Sequence, residues 1–311
     1  MSYKIYHKCN FFSKLTVTKT RIRFPRIKNT KDRKMKKTLL LICFVVLLQP
    51  LVFAQQSISV NTSGKGEPIL FLPGFATPGE VWNTTASNLP QHSAHIVTYA
   101  GFGGVAPVEM PWYEKLKTDL IGYITANSLE NLTLVGHSMG GNLALDLAAS
   151  LPDRIQKIVI VDALSCMREI MMPGVPAEAL AYESPYNDQL LNMDEAALSA
   201  YLTQMTQNMI TKTEDQALVK NWMAVADRKT FVYGYTDLLK LDSRPLFPSI
   251  KAPVLLMVAG QPYGPGALET MKKQYNGLKN TEFVLATESK HYLMLDQQEW
   301  FITQLNSFLN K

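Results

Sequence analysis

Two patterns of apolar residues alternate along residues 55–311. Short runs that are mainly apolar, such as LTLV and KIVIV, are followed by stretches whose apolar residues recur every three or four positions, as Leu116, Leu120 and Ile124 do. A run with apolar side chains on both faces is typical of a buried parallel strand, and the second spacing is typical of a helix. The chain is therefore predicted to form an α/β fold with a mostly parallel sheet between layers of helices.

The alternation is interrupted once, at residues 164–250. This stretch lacks strand-like runs and contains helical pieces such as MDEAALSAYLTQMTQNMIT. An insertion of this size between two late strands predicts a helical cap over the carboxyl edge of the sheet, where ligands bind in open α/β folds. The core is predicted to comprise residues 55–163 and 251–311.

The charge distribution excludes a nucleic-acid-binding function for residues 55–311. Residues 1–54 hold 13 of the 31 Lys and Arg residues but only one of the 26 Asp and Glu residues. This leaves 18 basic and 25 acidic side chains, a net charge of −7, on residues 55–311. A nucleic-acid-binding face requires a basic surface on the folded part of a protein.

The basic N-terminal segment is predicted to be removed. Residues 35–54, MKKTLLLICFVVLLQPLVFA, combine two lysines, an apolar run and a small residue at the end, which is the pattern of a signal peptide cleaved after Ala54. Residues 1–34 indicate a mis-assigned start codon, with Met35 the true start, or an extended basic n-region. We expect export to the periplasm or the medium, with no stable membrane anchor after cleavage.

The sequence Gly136-His137-Ser138-Met139-Gly140 carries the strongest chemical signal. An apolar strand precedes it and a helix rich in small residues follows it, which is the setting of a nucleophilic serine in a sharp strand-to-helix turn. Glycines two residues to either side of Ser138 let the strand and the helix approach closely. The N–H groups at the start of the helix can then stabilise the anion that forms during attack.

With this motif in its strand-turn-helix setting, the chain resembles the α/β-hydrolases of the esterase/lipase type over nearly all of residues 57–311. The resemblance implies an oxyanion hole formed by the backbone N–H groups of Phe75 and Met139. The family usually has a histidine in the first of these two loops, where this chain has Pro73, so the internal hydrogen bonding of that loop is in question. The resemblance also implies a catalytic base after the last strand, and His291 occupies that place. The Asp296-x-x-Glu299 pattern behind it is interpreted as a capping box.

The acid of the triad has two possible positions in such folds. After the strand PVLLMVA, where many members carry an aspartate, this chain has Tyr263 in the loop QPYGPG. Asp162, at the end of KIVIVD and 24 residues beyond Ser138, stands at the other position. We therefore expect Asp162 to orient His291. Glu269, Glu288 or the complete lack of an acid stay open as alternatives.

Met167, Met171 and Tyr263 are expected to line an apolar pocket, since the cap is rich in methionine. The sequence thus predicts a serine hydrolase that cleaves small carboxylic esters with an apolar part, without a cofactor or a metal ion. Two alternatives stay open. One is a peptidase or amidase of the same superfamily, and the other is a non-catalytic relative that keeps only the pocket. Oligomeric state is not predicted.

Overall fold

A single sheet of seven strands runs through residues 56–311, the part of the chain that the computed structural model describes. The predicted start codon and signal peptide lie outside the described residues. The strands are β1 (Ile58–Gly64), β2 (Glu67–Leu72), β3 (His92–Tyr99), β4 (Leu132–His137), β5 (Ile155–Val161), β6 (Val254–Ala259) and β7 (Thr281–Ala286). Their order is β1-β3-β2-β4-β5-β6-β7, and β1 pairs antiparallel with β3 while all other neighbours are parallel. The predicted, mostly parallel sheet is confirmed.

The middle strands are buried on both faces, as their apolar sequences require. Every residue of β4 and of β6 is buried. The register pairs His137 of β4 with Val161 of β5, and Val161 in turn with Met257 of β6. The carboxyl ends of these three strands therefore lie side by side, so residues that follow β4, β5 and β6 meet at one edge of the sheet.

Helices connect the strands and cover both faces of the sheet. They are α1 (Asn83–Ser87), α2 (Trp112–Ala126), α3 (Met139–Ser150), α4 (Met167–Met171), α5 (Pro185–Leu191), α6 (Glu195–Met209), α7 (Thr213–Ala224), α8 (Arg228–Lys240), α9 (Pro265–Gln274), α10 (Leu293–Asp296) and α11 (Gln298–Leu309). Short 3-10 segments occur at Gly79–Trp82, Ala177–Ala179 and Arg244–Ser249. No helix within residues 56–311 is long and apolar enough to cross a membrane.

The segment between β5 and β6 consists of helices α4 to α8, which we call the cap. Several cap helices begin at residues whose side chains accept a backbone N–H: Asp194 accepts from Ala197 and Asp227 accepts from Thr230, both at 2.8 Å. These side-chain hydrogen bonds explain where the two helices begin.

Buried Asp237 of α8 fastens the cap to the core. Its Oδ2 accepts hydrogen bonds from the N–H of Trp112 at 2.8 Å and of Tyr113 at 3.2 Å, at the start of α2. The residue before α2 is Pro111, which has no side-chain donor or acceptor to cap it. A carboxylate from the cap thus satisfies the free N–H groups of a core helix. Residues 56–311 accordingly belong to one compact unit.

Candidate active site

Ser138 occupies a strained turn between β4 and α3. Its backbone angles are φ 52° and ψ −124°, a conformation that non-glycine residues rarely adopt and that clusters at functional sites. Its N–H donates to the carbonyl of Val161 at 2.9 Å. A Cβ on Gly136 would lie 2.2 Å from the carbonyl oxygen of Gly140, and one on Gly140 would lie 2.2 Å from that of Leu72. The two glycines therefore permit the close packing that holds the turn.

The loop after β2 is well ordered by hydrogen bonds even though it has Pro73 where a histidine is usual. The hydroxyl of Tyr99 donates to the carbonyl of Pro73 at 3.1 Å, and the N–H of Thr77 donates to that of Gly74 at 3.3 Å. The hydroxyls of Thr77 and Tyr292 share a buried hydrogen bond of 2.8 Å. These contacts answer the question that Pro73 raised, since the loop is held from β3 and from the segment after β7.

Phe75 anchors the same loop through its side chain. The ring lies 5.3 Å from that of Phe102 and 5.9 Å from that of Trp112 in edge-to-face contacts, and 5.6 Å from the rings of Phe231 and Tyr235 of the cap. Aromatic pairs at such distances are favourable beyond their buried area. The side chain of Phe75 therefore packs between the core and the cap, and this packing holds the backbone N–H of Phe75 in place.

Asp162 and His291 form a hydrogen-bonded pair at the carboxyl edge of the sheet. The distance from Nδ1 of His291 to Oδ2 of Asp162 is 2.7 Å, and both side chains are largely buried, with exposures of 26% and 14%. Since the carboxylate accepts only, Nδ1 carries the proton and Nε2 of a neutral ring is free to take one. The other oxygen of Asp162 accepts from the N–H of Ala259 at 3.0 Å. Asp162 itself has a φ of 46°.

The other carboxylates considered from the sequence lie elsewhere. Glu269 forms an exposed ion pair with Lys272 at 2.9 Å, and Glu288 is exposed to solvent. Tyr263, at the alternative position for the acid, is 78% exposed. Asp162 is thus the carboxylate that the structure brings to His291.

His137, the residue before Ser138, contacts the segment that carries His291. Its ring lies 4.5 Å from that of His291 and 4.6 Å from that of Tyr292, and its Nε2 donates to the backbone carbonyl of His291 at 3.0 Å. Burial, with a smaller contribution from the nearby His291, holds the pKa of His137 well below its usual value. His137 is therefore a neutral donor that fixes the backbone of His291.

The interpretation of Asp296 as part of a capping box is wrong. Helix α11 begins after Gln297, and no side chain caps it. Asp296 is buried and ends the preceding short helix, α10, and its oxygens accept hydrogen bonds from Lys290 and from Thr211. The physical reason is competition, because a carboxylate that accepts N–H groups from two other segments is no longer available to the helix that follows it.

The residues expected to line a pocket lie at different depths. Met167 is partly buried against the apolar core, whereas Met171 is 60% exposed and Tyr263 is 78% exposed. Their role as pocket walls stays a prediction. Among residues 56–311, no group of three or more His, Cys, Asp or Glu side chains is arranged to hold a metal ion.

Comparison with known proteins identifies relatives along most of the chain. The profile of the family described as "Alpha/beta hydrolase family" matches residues 69–304. A pimeloyl-[acyl-carrier protein] methyl ester esterase of Aliivibrio fischeri is 22% identical over 81% of this chain and 96% of its own length. An N-formylmaleamate deformylase of Pseudomonas putida is 25% identical over 64% of this chain and 72% of its own length.

Solved structures share the fold. An esterase of Exiguobacterium antarcticum superposes with a TM-score of 0.68 at 21% identity, covering 82% of this chain and 96% of its own. An enol-lactonase of Burkholderia xenovorans superposes with a TM-score of 0.67 at 17% identity, with the same coverage. At these identities the likeness concerns the arrangement of strands and helices.

Proposed function

The chain belongs to the α/β hydrolase family, and we propose that it is a serine esterase with Ser138 as nucleophile, His291 as base and Asp162 as acid. The observation that carries the proposal is the 2.7 Å hydrogen bond between His291 and Asp162 at the same sheet edge as the strained turn of Ser138. Hydrolysis of carboxylic esters is the reaction class named for several of its relatives and structural neighbours.

The proposed reaction proceeds through an acyl-enzyme. Ser138 Oγ attacks the ester carbonyl while Nε2 of His291 accepts its proton, and the protonated ring then passes that proton to the departing alcohol. Water, activated by the same ring, attacks the acyl-serine and releases the acid. Asp162 keeps the proton of His291 on Nδ1 and stabilises the imidazolium that forms in each half-reaction.

The backbone N–H groups of Phe75 and Met139 are the proposed donors to the oxyanion. Met139 is the first residue of α3, where N–H groups have no partner within the helix and the helix dipole favours negative charge. Phe75 is held by its aromatic contacts with the cap. Loss of one such donor typically lowers kcat by about two to three orders of magnitude.

The proposed substrate is a small carboxylic ester with an apolar part. The aromatic side chains around Phe75 and the methionines of the cap place apolar surface where the cap meets the core, which supports binding of an apolar group of the substrate. The relatives' own substrates differ, since one is named for a methyl ester and another for a formyl group on nitrogen.

The test is hydrolysis of p-nitrophenyl esters of increasing acyl length by residues 55–311, compared with Ser138→Ala. We expect turnover of at least one ester and its loss, by about three orders of magnitude or more, in the variant. The matched p-nitroanilides test the amidase alternative. A folded protein that cleaves no ester, or whose activity survives in Ser138→Ala, would refute the proposal.

The same proposal includes export through residues 35–54. Expression of the full chain in a Gram-negative host is expected to give a periplasmic protein whose intact mass corresponds to a start at Gln55. A purified protein that retains residues 35–54 would contradict cleavage.

A further inference from the structure

The segment around His291 is bound to the cap as well as to the core. We call residues 207–212, the end of α6 and the link to α7, the cap turn. Buried Asp296 spans the gap between the two segments. Its Oδ1 accepts from the N–H of Thr211 at 2.9 Å and from the hydroxyl of Thr211 at 2.7 Å, while its Oδ2 accepts from the N–H of Lys290 at 2.8 Å.

Further bonds run from the His291 segment to the cap turn on both sides of His291. The ammonium group of Lys290 donates to the carbonyls of Gln207 and Ile210, and the N–H of Tyr292 donates to the carbonyl of Met209 at 3.3 Å. The two residues that flank the base are therefore each attached to the cap, and Asp296 adds a third connection by binding both Lys290 and Thr211.

These contacts divide the control of His291 between two parts of the molecule. The core holds the ring through Asp162 and the backbone carbonyl of His291 through His137, whereas the cap turn holds the two residues on either side of His291. Hydrogen bonds to a carboxylate are about twice as strong as those between neutral groups. A displacement of the cap turn would therefore move Lys290 and Tyr292, and with them the angle at which the ring approaches Ser138.

We propose that Asp296 is a positioning residue that couples the seating of the cap turn to the position of the base, His291. The inference rests on the proposed function, because it needs His291 to act as the base. It goes beyond that function, since it assigns the cap a part in assembling the triad. A poorly seated cap turn then lowers the rate of chemistry and has little effect on ester binding.

The chain offers a closely matched set of variants. Thr211→Val removes the hydroxyl that Asp296 binds and keeps the shape, whereas Thr211→Ser keeps the hydroxyl. Thr203→Val is the control, because Thr203 lies on the preceding helix α6 and its hydroxyl binds only the carbonyl of Ser199 in that helix. Asp296→Asn keeps one acceptor oxygen and cannot accept from both segments at once.

The readout is kcat per active site, with sites counted by complete titration with a fluorophosphonate. A merely structural role lowers the number of sites that titrate but leaves the rate per site unchanged. We expect kcat per site to fall about tenfold or more in Asp296→Asn and about threefold to tenfold in Thr211→Val, with KM within about twofold. Thr211→Ser and Thr203→Val are expected to stay within about twofold of the original protein.

A double-mutant cycle completes the test. Thr211→Val is expected to lower kcat per site by a smaller factor in the Asp296→Asn background than in the original protein, because both changes break the same connection. Unchanged kcat per site in Thr211→Val would overturn the coupling, as would equal losses in Thr203→Val. If Asp296→Asn does not fold, the Thr211 pair decides alone. If the original protein does not react with the fluorophosphonate, the proposed function itself fails and this inference fails with it.

Discussion

The ends of β5 and β6 are neighbours in the sheet, yet only the end of β5 brings a carboxylate to His291. After β5 the chain turns at Asp162, whose carboxylate meets the ring of His291. After β6 it runs into residues 260–265, where Tyr263 faces solvent. The end of β6 supplies something else, because the N–H of Ala259 donates to the second oxygen of Asp162.

The end of β6 therefore supports Asp162 with a backbone N–H and carries no carboxylate of its own toward His291. A carboxylate that receives a backbone N–H is held in one orientation. Asp162 also adopts a positive φ, which aspartate tolerates better than most residues. The proposed triad therefore needs no carboxylate in the loop after β6.

The largest expected effect comes from removing the charge at the end of β5. Asp162→Asn should lower kcat for ester hydrolysis by about four orders of magnitude, because the amide no longer holds the proton of His291 on Nδ1. Stopped-flow or steady-state turnover of a p-nitrophenyl ester measures it. Activity within tenfold of the original protein would show that another group orients the ring.

A change at the first residue after β6 should affect stability. A Cβ on Gly260 would lie 2.8 Å from the carbonyl oxygen of Ala286 and from the Cα of Thr287, both in the backbone that leads to His291. Gly260→Ala should lower the free energy of unfolding by about 1–3 kcal/mol. Gly266→Ala, at a glycine of α9 with open space around it, is the control and should not destabilise. Urea unfolding of the two variants compares them, and equal stabilities would argue against tight packing at the end of β6.

A smaller loss of stability is expected from a change next to the end of β5. The hydroxyl of buried Tyr275 donates to the carbonyl of Ala163 at 2.8 Å, next to Asp162. Burial, with a smaller contribution from Asp162, raises the pKa of this hydroxyl, so it remains protonated and able to donate. Tyr275→Phe should cost about 1–2 kcal/mol of stability, measured by urea unfolding, because a buried carbonyl loses its partner. A variant as stable as the original would show that the bond contributes nothing.

The smallest effect is expected in the loop after β6. Tyr263→Phe should change kcat by less than about twofold, since an exposed phenol does no work in the proposed triad. Tyr263→Asp in the Asp162→Asn background should not restore activity, because the side chain at this position points to solvent. Ester turnover measures both, and recovery in the double variant would reveal that the loop can still deliver an acid.

Much of the fold could be predicted because its signals are local. The buried strands are continuous apolar runs, and Ser138 lies in a five-residue motif between a strand and a helix. Asp162 was also accessible to prediction, because the ends of adjacent parallel strands meet at one edge and the loop after β6 offers no carboxylate.

The contacts that sequence reasoning missed join residues far apart in the chain. His137 binds the carbonyl of a residue 154 positions later, and Asp296 binds Thr211, 85 positions earlier. The D-x-x-E pattern at Asp296 carried a plausible local interpretation that a long-range contact overrides. No local signal indicates that the cap turn contacts the residues on either side of His291, since that depends on where helices α6 and α7 pack.

The most direct test of the central claim is the site and rate of covalent labelling by a fluorophosphonate. Peptide mass mapping should locate a single adduct on Ser138, and the rate of labelling should fall in Asp162→Asn by a factor similar to the loss of ester turnover. Absence of labelling in the folded protein, an adduct on another residue, or an unchanged rate in Asp162→Asn would contradict the account.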